Sequence, residues 1–118
     1  MVQPLQRSSY LDTIARDPAQ TSLFLAEMRQ HARTHPDSFR DEFLLGIFAV
    51  KRGSDHVAEA LSHFERAVAR NPDFAPGWAN LGSIYLSLGR RSDARSAFEQ
   101  ALAIEDTPFV REQLTRLQ

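Results

Sequence analysis

The fold is decided by residues 75–104, which read APGWANLGSIYLSLGRRSDARSAFEQALAI. Apolar side chains recur here at three- and four-residue intervals, the spacing of one helical face, in two sets separated by Gly89. The first set is Trp78, Leu81, Ile84, Tyr85 and Leu88, and the second is Ala94, Ala97, Phe98, Ala101, Leu102 and Ile104. Gly89 is suited to the left-handed conformation that ends a helix, and Ser92 is placed to cap the next one. The stretch therefore predicts two helices joined by a tight turn.

The preceding residues repeat this pattern. An offset of 36 residues places His35-Pro36-Asp37 over Asn71-Pro72-Asp73, Leu45-Gly46 over Leu81-Gly82, and Gly53 over Gly89. Further along, an offset of 34 residues places Ala60, Phe64 and Ala67 over Ala94, Phe98 and Ala101. The first copy thus has two extra residues in a predicted turn, where an insertion costs little. We expect Ser54 or Asp55 to cap the helix that follows. The chain contains two helix pairs in tandem.

Two glycines occupy matching positions inside the first helix of each pair. Gly46 and Gly82 cost each helix about 1 kcal/mol relative to alanine. A cost repeated at corresponding positions indicates close approach of the neighbouring helix, with Phe64 and Phe98 filling the remaining space. A hairpin built in this way does not cover its own apolar face. We therefore expect the pairs to stack on one another.

The second copy resembles the tetratricopeptide repeat, whose pattern of Trp, Leu-Gly, Tyr, Ala, Phe and Ala is matched by Trp78, Leu81-Gly82, Tyr85, Ala94, Phe98 and Ala101. It departs at Asp106, where the family pattern closes with proline. The first copy departs more, with Glu42 at the Trp position and Ala49 at the Tyr position. The resemblance implies an all-α fold in which antiparallel helical hairpins stack as a short right-handed solenoid.

We predict a single helical-repeat domain over residues 1–118, made of four segments: 1–38, the repeats 39–74 and 75–106, and a capping helix in 107–118. Asp17 is a suitable cap for a helix over 18–35, which begins with Pro18. This helix and the Tyr10–Ala15 stretch form either a degenerate repeat or an independent arm. At the other end, Thr107 is a suitable cap for a helix that seals the stack or begins a further repeat.

Composition narrows the function classes. A net charge of −1 supplies no overall attraction for phosphate, so we expect no nucleic-acid partner. The chain has no cysteine, and therefore no disulfide or thiolate metal site. The first ten residues lack the apolar core of a signal peptide, and the longest apolar run, residues 43–50, is too short to cross a membrane. These features predict a cytoplasmic protein with no membrane partner.

Catalytic and metal-binding patterns are few. The sequence has no phosphate-binding glycine loop, no Gly-x-Ser-x-Gly turn and no His-Glu-x-x-His motif. Glu27, His31 and His35 share one face of a predicted helix, but His35 at a helix C-terminus is stabilised there by the helix dipole without a metal. We interpret His56, His63, Arg66 and Arg70 as surface residues. The chain is expected to be no enzyme and to need no metal or cofactor.

The resemblance also implies a site. In this family the first helices of the repeats line a concave groove, which commonly receives a peptide or a helix of a partner. Carried over by position, the groove residues here are Arg40, Phe43, Leu44, Ile47, Ala79, Asn80 and Ser83. Asn80 stands where family members that bind chaperones hold a C-terminal carboxylate. The cations of that clamp are not reproduced, since only Arg40 could replace them, so we expect no carboxylate clamp.

Apolar residues surround the first helix of copy one, from Phe39 to Val50, which predicts burial on both sides. The cover comes either from residues 18–35 alone or partly from another protein. A scaffold for a protein or peptide partner is the leading interpretation, and a self-associating, homo-oligomeric module is the alternative. Nucleic-acid binding ranks third.

Overall fold

The computed structural model describes residues 4–118, with side chains from residue 10 onward. Seven α-helices follow one another: α1 (Pro4–Arg16), α2 (Pro18–Thr34), α3 (Phe39–Lys51), α4 (Val57–Arg70), α5 (Ala75–Ser87), α6 (Arg91–Ile104) and α7 (Pro108–Arg116). A short 3₁₀ turn, Ser54–His56, precedes α4. The described part of the chain contains no strand. Residues 1–3 of the predicted N-terminal segment lie outside the described residues.

The helices pack as successive pairs. α3 packs chiefly against α4, and α5 against α6, while α4 also packs against α5 and joins the two pairs. One buried cluster lies between α3, α4 and α5 and includes Phe64 and Leu81; a second lies between α6 and α7 and includes Phe98 and Val110. The predicted all-α stack of hairpins is confirmed. The division into repeats at 39–74 and 75–106 within a single domain stays a prediction.

Both mid-helix glycines lie against the phenylalanine of the paired helix. A Cβ atom on Gly46 would be 2.6 Å from Cε1 of Phe64, and one on Gly82 would be 2.7 Å from Cε1 of Phe98. Both rings are fully buried. Any larger residue at either glycine would push the ring away, because these distances are shorter than carbon atoms tolerate. The close approach predicted from the sequence is confirmed.

Two of the expected helix caps are present. The carboxylate of Asp17 accepts a hydrogen bond from the N–H of Ala19 at 3.0 Å, and the hydroxyl of Thr107 accepts one from Val110 at 3.4 Å. Pro18 and Pro108 follow as the first helical residues, where the missing N–H is not needed.

The two caps predicted for the second helices were wrong. α6 begins at Arg91, so Ser92 lies inside its first turn. Gly89 has φ +74° and ends the preceding turn, and the guanidinium of Arg90, directly before the helix, binds Asp93 at 2.8 Å. In the first copy the extra residues form the 3₁₀ turn, so α4 starts after His56 without a side-chain cap.

The N-terminal pair lies on α3. The hydroxyl of Thr21 donates to the carbonyl of Ile14 at 2.7 Å and ties α2 to the end of α1. The ring of Phe24 packs on Phe48 with 4.4 Å between centroids. Part of the cover for α3 therefore comes from α2, as expected for residues 18–35. Val50, near the end of α3, is still 45% exposed.

Candidate functional site

The predicted groove residues lie on two corresponding helices, α3 and α5. Arg40 is exposed, and the other six are half-buried: Phe43, Leu44, Ile47, Ala79, Asn80 and Ser83. Apart from Arg40 and Ala79, their side chains divide by helix into an apolar half on α3 and a polar half on α5. Each half has its own set of contacts.

On the apolar half, two residues belong largely to the core. The ring of Phe43 packs edge-on against Phe74 at 4.9 Å and tilted against Phe64 at 5.7 Å, and Ile47 packs against the same buried cluster. Leu44 is in neither buried cluster, although it is half-buried. Of the three apolar residues predicted on α3, Leu44 is thus the one that lies outside both buried clusters.

On the polar half, the side chains bond to their own helix. The amide of Asn80 donates to the carbonyl of Pro76 at 2.8 Å, and the hydroxyl of Ser83 donates to the carbonyl of Ala79 at 3.3 Å. Ser87 continues the stripe, with a 3.2 Å bond to the carbonyl of Ser83. Each bond uses a donor and leaves the side-chain oxygen able to accept a hydrogen bond from a ligand.

Arg40 lies at the start of α3. Its guanidinium carbon is 4.9 Å from the centroid of the Phe39 ring, which is a cation–π distance. The ring positions the charge without neutralising it. Arg40 is thus the exposed cation among the predicted groove residues.

Ala79 borders a cavity that the sequence did not reveal. The cavity measures about 80 Å³ and lies where α5, α6 and α7 meet; its lining is Ala75, Pro76, Ala79, Ala101, Glu105, Thr107 and Val110. Only Ala79 was among the predicted groove residues. The others come from helix ends whose proximity depends on how α7 packs on α6.

Glu42, at the position that Trp78 occupies in the second copy, has one histidine and two arginines of α4 as neighbours. Its carboxylate lies 2.7 Å from Nδ1 of His63, 3.2 Å from Nε of Arg66 and 2.9 Å from a terminal nitrogen of Arg70. Burial raises the pKa of the carboxyl, but the hydrogen bonds and charges of His63 and Arg66 outweigh it, so the net pKa is below its ordinary value. Arg66 and Arg70 are exposed, as the sequence interpretation had them, and His63 is half-buried; the sequence did not reveal that all three bind Glu42 on α3.

His31 on α2 and His35 directly after it also contact other side chains of the protein. Nδ1 of His31 lies 2.5 Å from a carboxylate oxygen of Asp41, and its ring stacks on His35 with 4.1 Å between centroids. Within the part of the chain that the structure describes, His, Asp and Glu side chains form no group of three or more arranged to hold a metal ion. None of the helices in residues 4–118 combines the length and apolar character needed to cross a membrane.

Comparisons with known proteins agree with this architecture. A family model described as Tetratricopeptide repeat matches residues 52–111, about half of the chain. The Hsp70-Hsp90 organizing protein of Triticum aestivum is 37% identical over 59 residues, which are 50% of this chain and 10% of that protein. A solved structure of a thermophilic TPR protein in Thermus thermophilus superposes with a TM-score of 0.66 at 28% identity, covering 97% of this chain and 65% of that one. The predicted solenoid fold is thereby confirmed.

Proposed function

Because the chain belongs to the tetratricopeptide repeat family, whose members are generally protein–protein interaction modules, we propose that it is a non-catalytic scaffold. Its ligand is a peptide or a helix of a partner protein, and it binds in the groove formed by α3 and α5. Leu44 and Asn80 carry the proposal. They occupy corresponding turns of the two helices, both are half-buried, and neither belongs to a buried cluster.

The side chains of the groove indicate which kind of ligand would bind there. Leu44 on α3 offers an apolar contact, and Asn80 and Ser83 on α5 offer oxygens that can accept hydrogen bonds. Such a surface fits an amphipathic segment with an apolar side chain facing α3 and polar groups facing α5. The name of the Triticum aestivum relative connects that protein with Hsp70 and Hsp90. Hsp70 and Hsp90 are not proposed as partners of this chain, because Phe43, Leu44 and Ile47 occupy the sites where a carboxylate clamp would need cations.

The test begins with partner capture by cross-linking and mass spectrometry, followed by calorimetric titration of the captured segment into the protein. Leu44→Asp places a charge in an apolar contact and is expected to weaken binding at least about tenfold. Asn80→Ala removes one hydrogen-bonding group and is expected to weaken it about threefold to tenfold. Far-UV circular dichroism should be unchanged in both.

The matched control is Leu23→Asp, the same substitution at a leucine of α2 that is 66% exposed. It should leave partner binding unchanged. Binding that is indifferent to Leu44→Asp and Asn80→Ala but lost in Leu23→Asp would move the site to the N-terminal pair and refute the groove assignment.

Self-association is the second candidate function, and it rests on a different surface. Tyr10 and Leu23 are 65% and 66% exposed and border a cavity of about 340 Å³ between α1 and α2. Contact with another molecule of this protein would cover this apolar surface. Light scattering over a range of concentrations would then show a dimer that Leu23→Asp abolishes. A constant monomer mass at the highest concentration would eliminate this candidate.

A further inference from the structure

The two copies differ at three corresponding positions, two near the start of the first helix and one directly before the helix that follows the copy. In the first copy these positions hold Phe39, Phe43 and Phe74; in the second they hold Ala75, Ala79 and Thr107. The first two pairs are related by the offset of 36 residues, and the third pair by location, since Phe74 directly precedes α5 and Thr107 directly precedes α7. Three large aromatic side chains are thus replaced by three small ones.

In the first copy the three rings fill the space between neighbouring helices. The ring of Phe74 lies 5.0 Å from Phe39 and 4.9 Å from Phe43, both on α3. It also lies against α5, because a Cβ atom on Gly77 would be 3.2 Å from it. Aromatic contacts of this kind close the junction of α3 and α5.

In the second copy the same junction is open. The small side chains of Ala75, Ala79 and Thr107 leave the cavity of about 80 Å³, which Ala101 and Val110 border with almost fully buried side chains. We call this cavity the alanine pocket. Its walls are mainly apolar, so an apolar side chain entering it would lose contact with water and gain the contacts that the rings supply in the first copy.

Size and charge define the occupant. An apolar cavity of about 150 Å³ binds benzene, so about 80 Å³ suits a branched aliphatic side chain rather than an aromatic ring. Glu105 lines the pocket and is exposed, and it has no cationic partner among the described side chains. The neighbouring Asp106, in contrast, is held by Arg111 at 2.5 Å. The free carboxylate is complementary to a positive charge next to the aliphatic group.

We propose that the alanine pocket binds a branched aliphatic side chain of the partner, such as leucine, that has a basic residue beside it. The inference rests on the proposed scaffold function and adds the chemistry of one ligand position. It places this position at the α5–α7 end of the groove, where Ala79 borders the pocket.

Blocked dipeptides test the pocket without the natural partner. Acetyl-leucyl-arginine amide is titrated into the intact protein, and the methyl groups of Ala79, Ala101 and Val110 are followed by ¹H–¹³C NMR. Their chemical shifts should change when this dipeptide is added and should not change when acetyl-glycyl-arginine amide is added. Acetyl-leucyl-glutamate amide should bind about threefold or more weakly, because its charge repels Glu105.

Two variants make the test specific. Ala79→Phe introduces the first-copy residue and should abolish the shifts at Ala101 and Val110, while Ala69→Phe, the same change at an exposed α4 alanine, should not. Glu105→Gln changes only an exposed side chain, so folding is not at risk, and it should remove the preference for arginine over glutamate. Absence of methyl shifts, or shifts that persist in Ala79→Phe, would overturn the inference.

Partner titration separates this inference from the proposed function. If Leu44→Asp and Asn80→Ala weaken partner binding but Ala79→Phe and Glu105→Gln do not, the groove stands and the pocket inference is wrong. If the dipeptide binds in the pocket but Leu44→Asp leaves partner binding unchanged, the pocket stands and the groove assignment fails.

Discussion

The first and second copies share one contact and differ beside it. In both, a Cβ atom added to the glycine of the first helix would lie less than 3 Å from the phenylalanine ring of the second helix. One helical turn earlier, the second copy has Trp78, whose indole N–H donates to the carbonyl of Pro72 at 2.8 Å. The first copy has Glu42, which binds His63, Arg66 and Arg70 of α4.

The difference shows which part of a repeat tolerates chemical change. The glycine–phenylalanine contact sets the distance between the paired helices, so both copies keep the same two residue types there. Trp78 packs against both buried clusters and joins successive pairs through apolar area. Glu42 uses ion pairs within its own helix pair. Similar backbones thus accept either an aromatic ring or a charged network at the same position.

Truncating the shared ring should have the largest effect in either copy. Phe64→Ala and Phe98→Ala each remove a fully buried ring and should each lower the free energy of unfolding by about 3–5 kcal/mol. Urea denaturation followed by circular dichroism gives both values. Phe109→Ala, at a ring that is 48% exposed, is the control and should cost about 1 kcal/mol or less. A cost for Phe98→Ala as small as the control would break the comparison.

Removing the charge of Glu42 should have the next largest effect. Glu42→Gln leaves the cations of α4 without their carboxylate and should lower the free energy of unfolding by about 1–2 kcal/mol near neutral pH. Glu112→Gln breaks an exposed pair with Arg116 and, as a control, should cost about 0.5 kcal/mol or less.

The pH dependence of the Glu42 effect has a definite sign. The folded-state pKa of Glu42 is lowered, so the stabilisation is present above the pKa of the unfolded state and is lost as the pH falls through the folded-state pKa. The difference between the native protein and Glu42→Gln should therefore shrink on acidification below about pH 4. A difference that grows there would contradict the ion network.

Backbone strain at the two turns should give effects no larger than that of Glu42→Gln. Gly53 has φ +108° and ψ −178°, a conformation that essentially only glycine adopts, whereas Gly89 has φ +74°. Gly53→Ala should lower the free energy of unfolding by about 1–2 kcal/mol and Gly89→Ala by about 1 kcal/mol. No atom lies within 4 Å of an added Cβ at either site, so the measured costs in urea report the backbone alone. A larger cost at Gly89 would reverse this comparison of the turns.

Local features were predictable from the residues themselves. The pairs Gly46–Phe64 and Gly82–Phe98 were expected because glycine and phenylalanine occupy corresponding positions in both copies, and Asp17 was expected to cap α2 because capping involves adjacent residues. The caps at Ser54, Asp55 and Ser92 were predicted wrongly, since helix starts also depend on the turn geometry set by the preceding glycine.

The sequence predicted which positions would form the groove, but not which of their side chains would pack into the core. The resemblance placed Phe43 and Ile47 in the groove, but both pack largely on the buried cluster. Leu44 and Asn80 lie outside both buried clusters, a difference from Phe43 that the helical pattern alone did not reveal. The degree of burial depends on Phe74, which lies 31 residues beyond Phe43 in the sequence and reaches it only in the folded chain.

By itself, the sequence determined the helices, their pairing and the family resemblance, because helical periodicity and the glycine–phenylalanine contact are encoded by residues that are close in the chain or recur at corresponding positions of the two copies. Tertiary structure alone decided that Glu42 binds His63, Arg66 and Arg70, and that Ala75, Ala79 and Thr107 leave an open pocket. Both features arise between helices, where the packing angle and the side-chain directions set which distant residues meet.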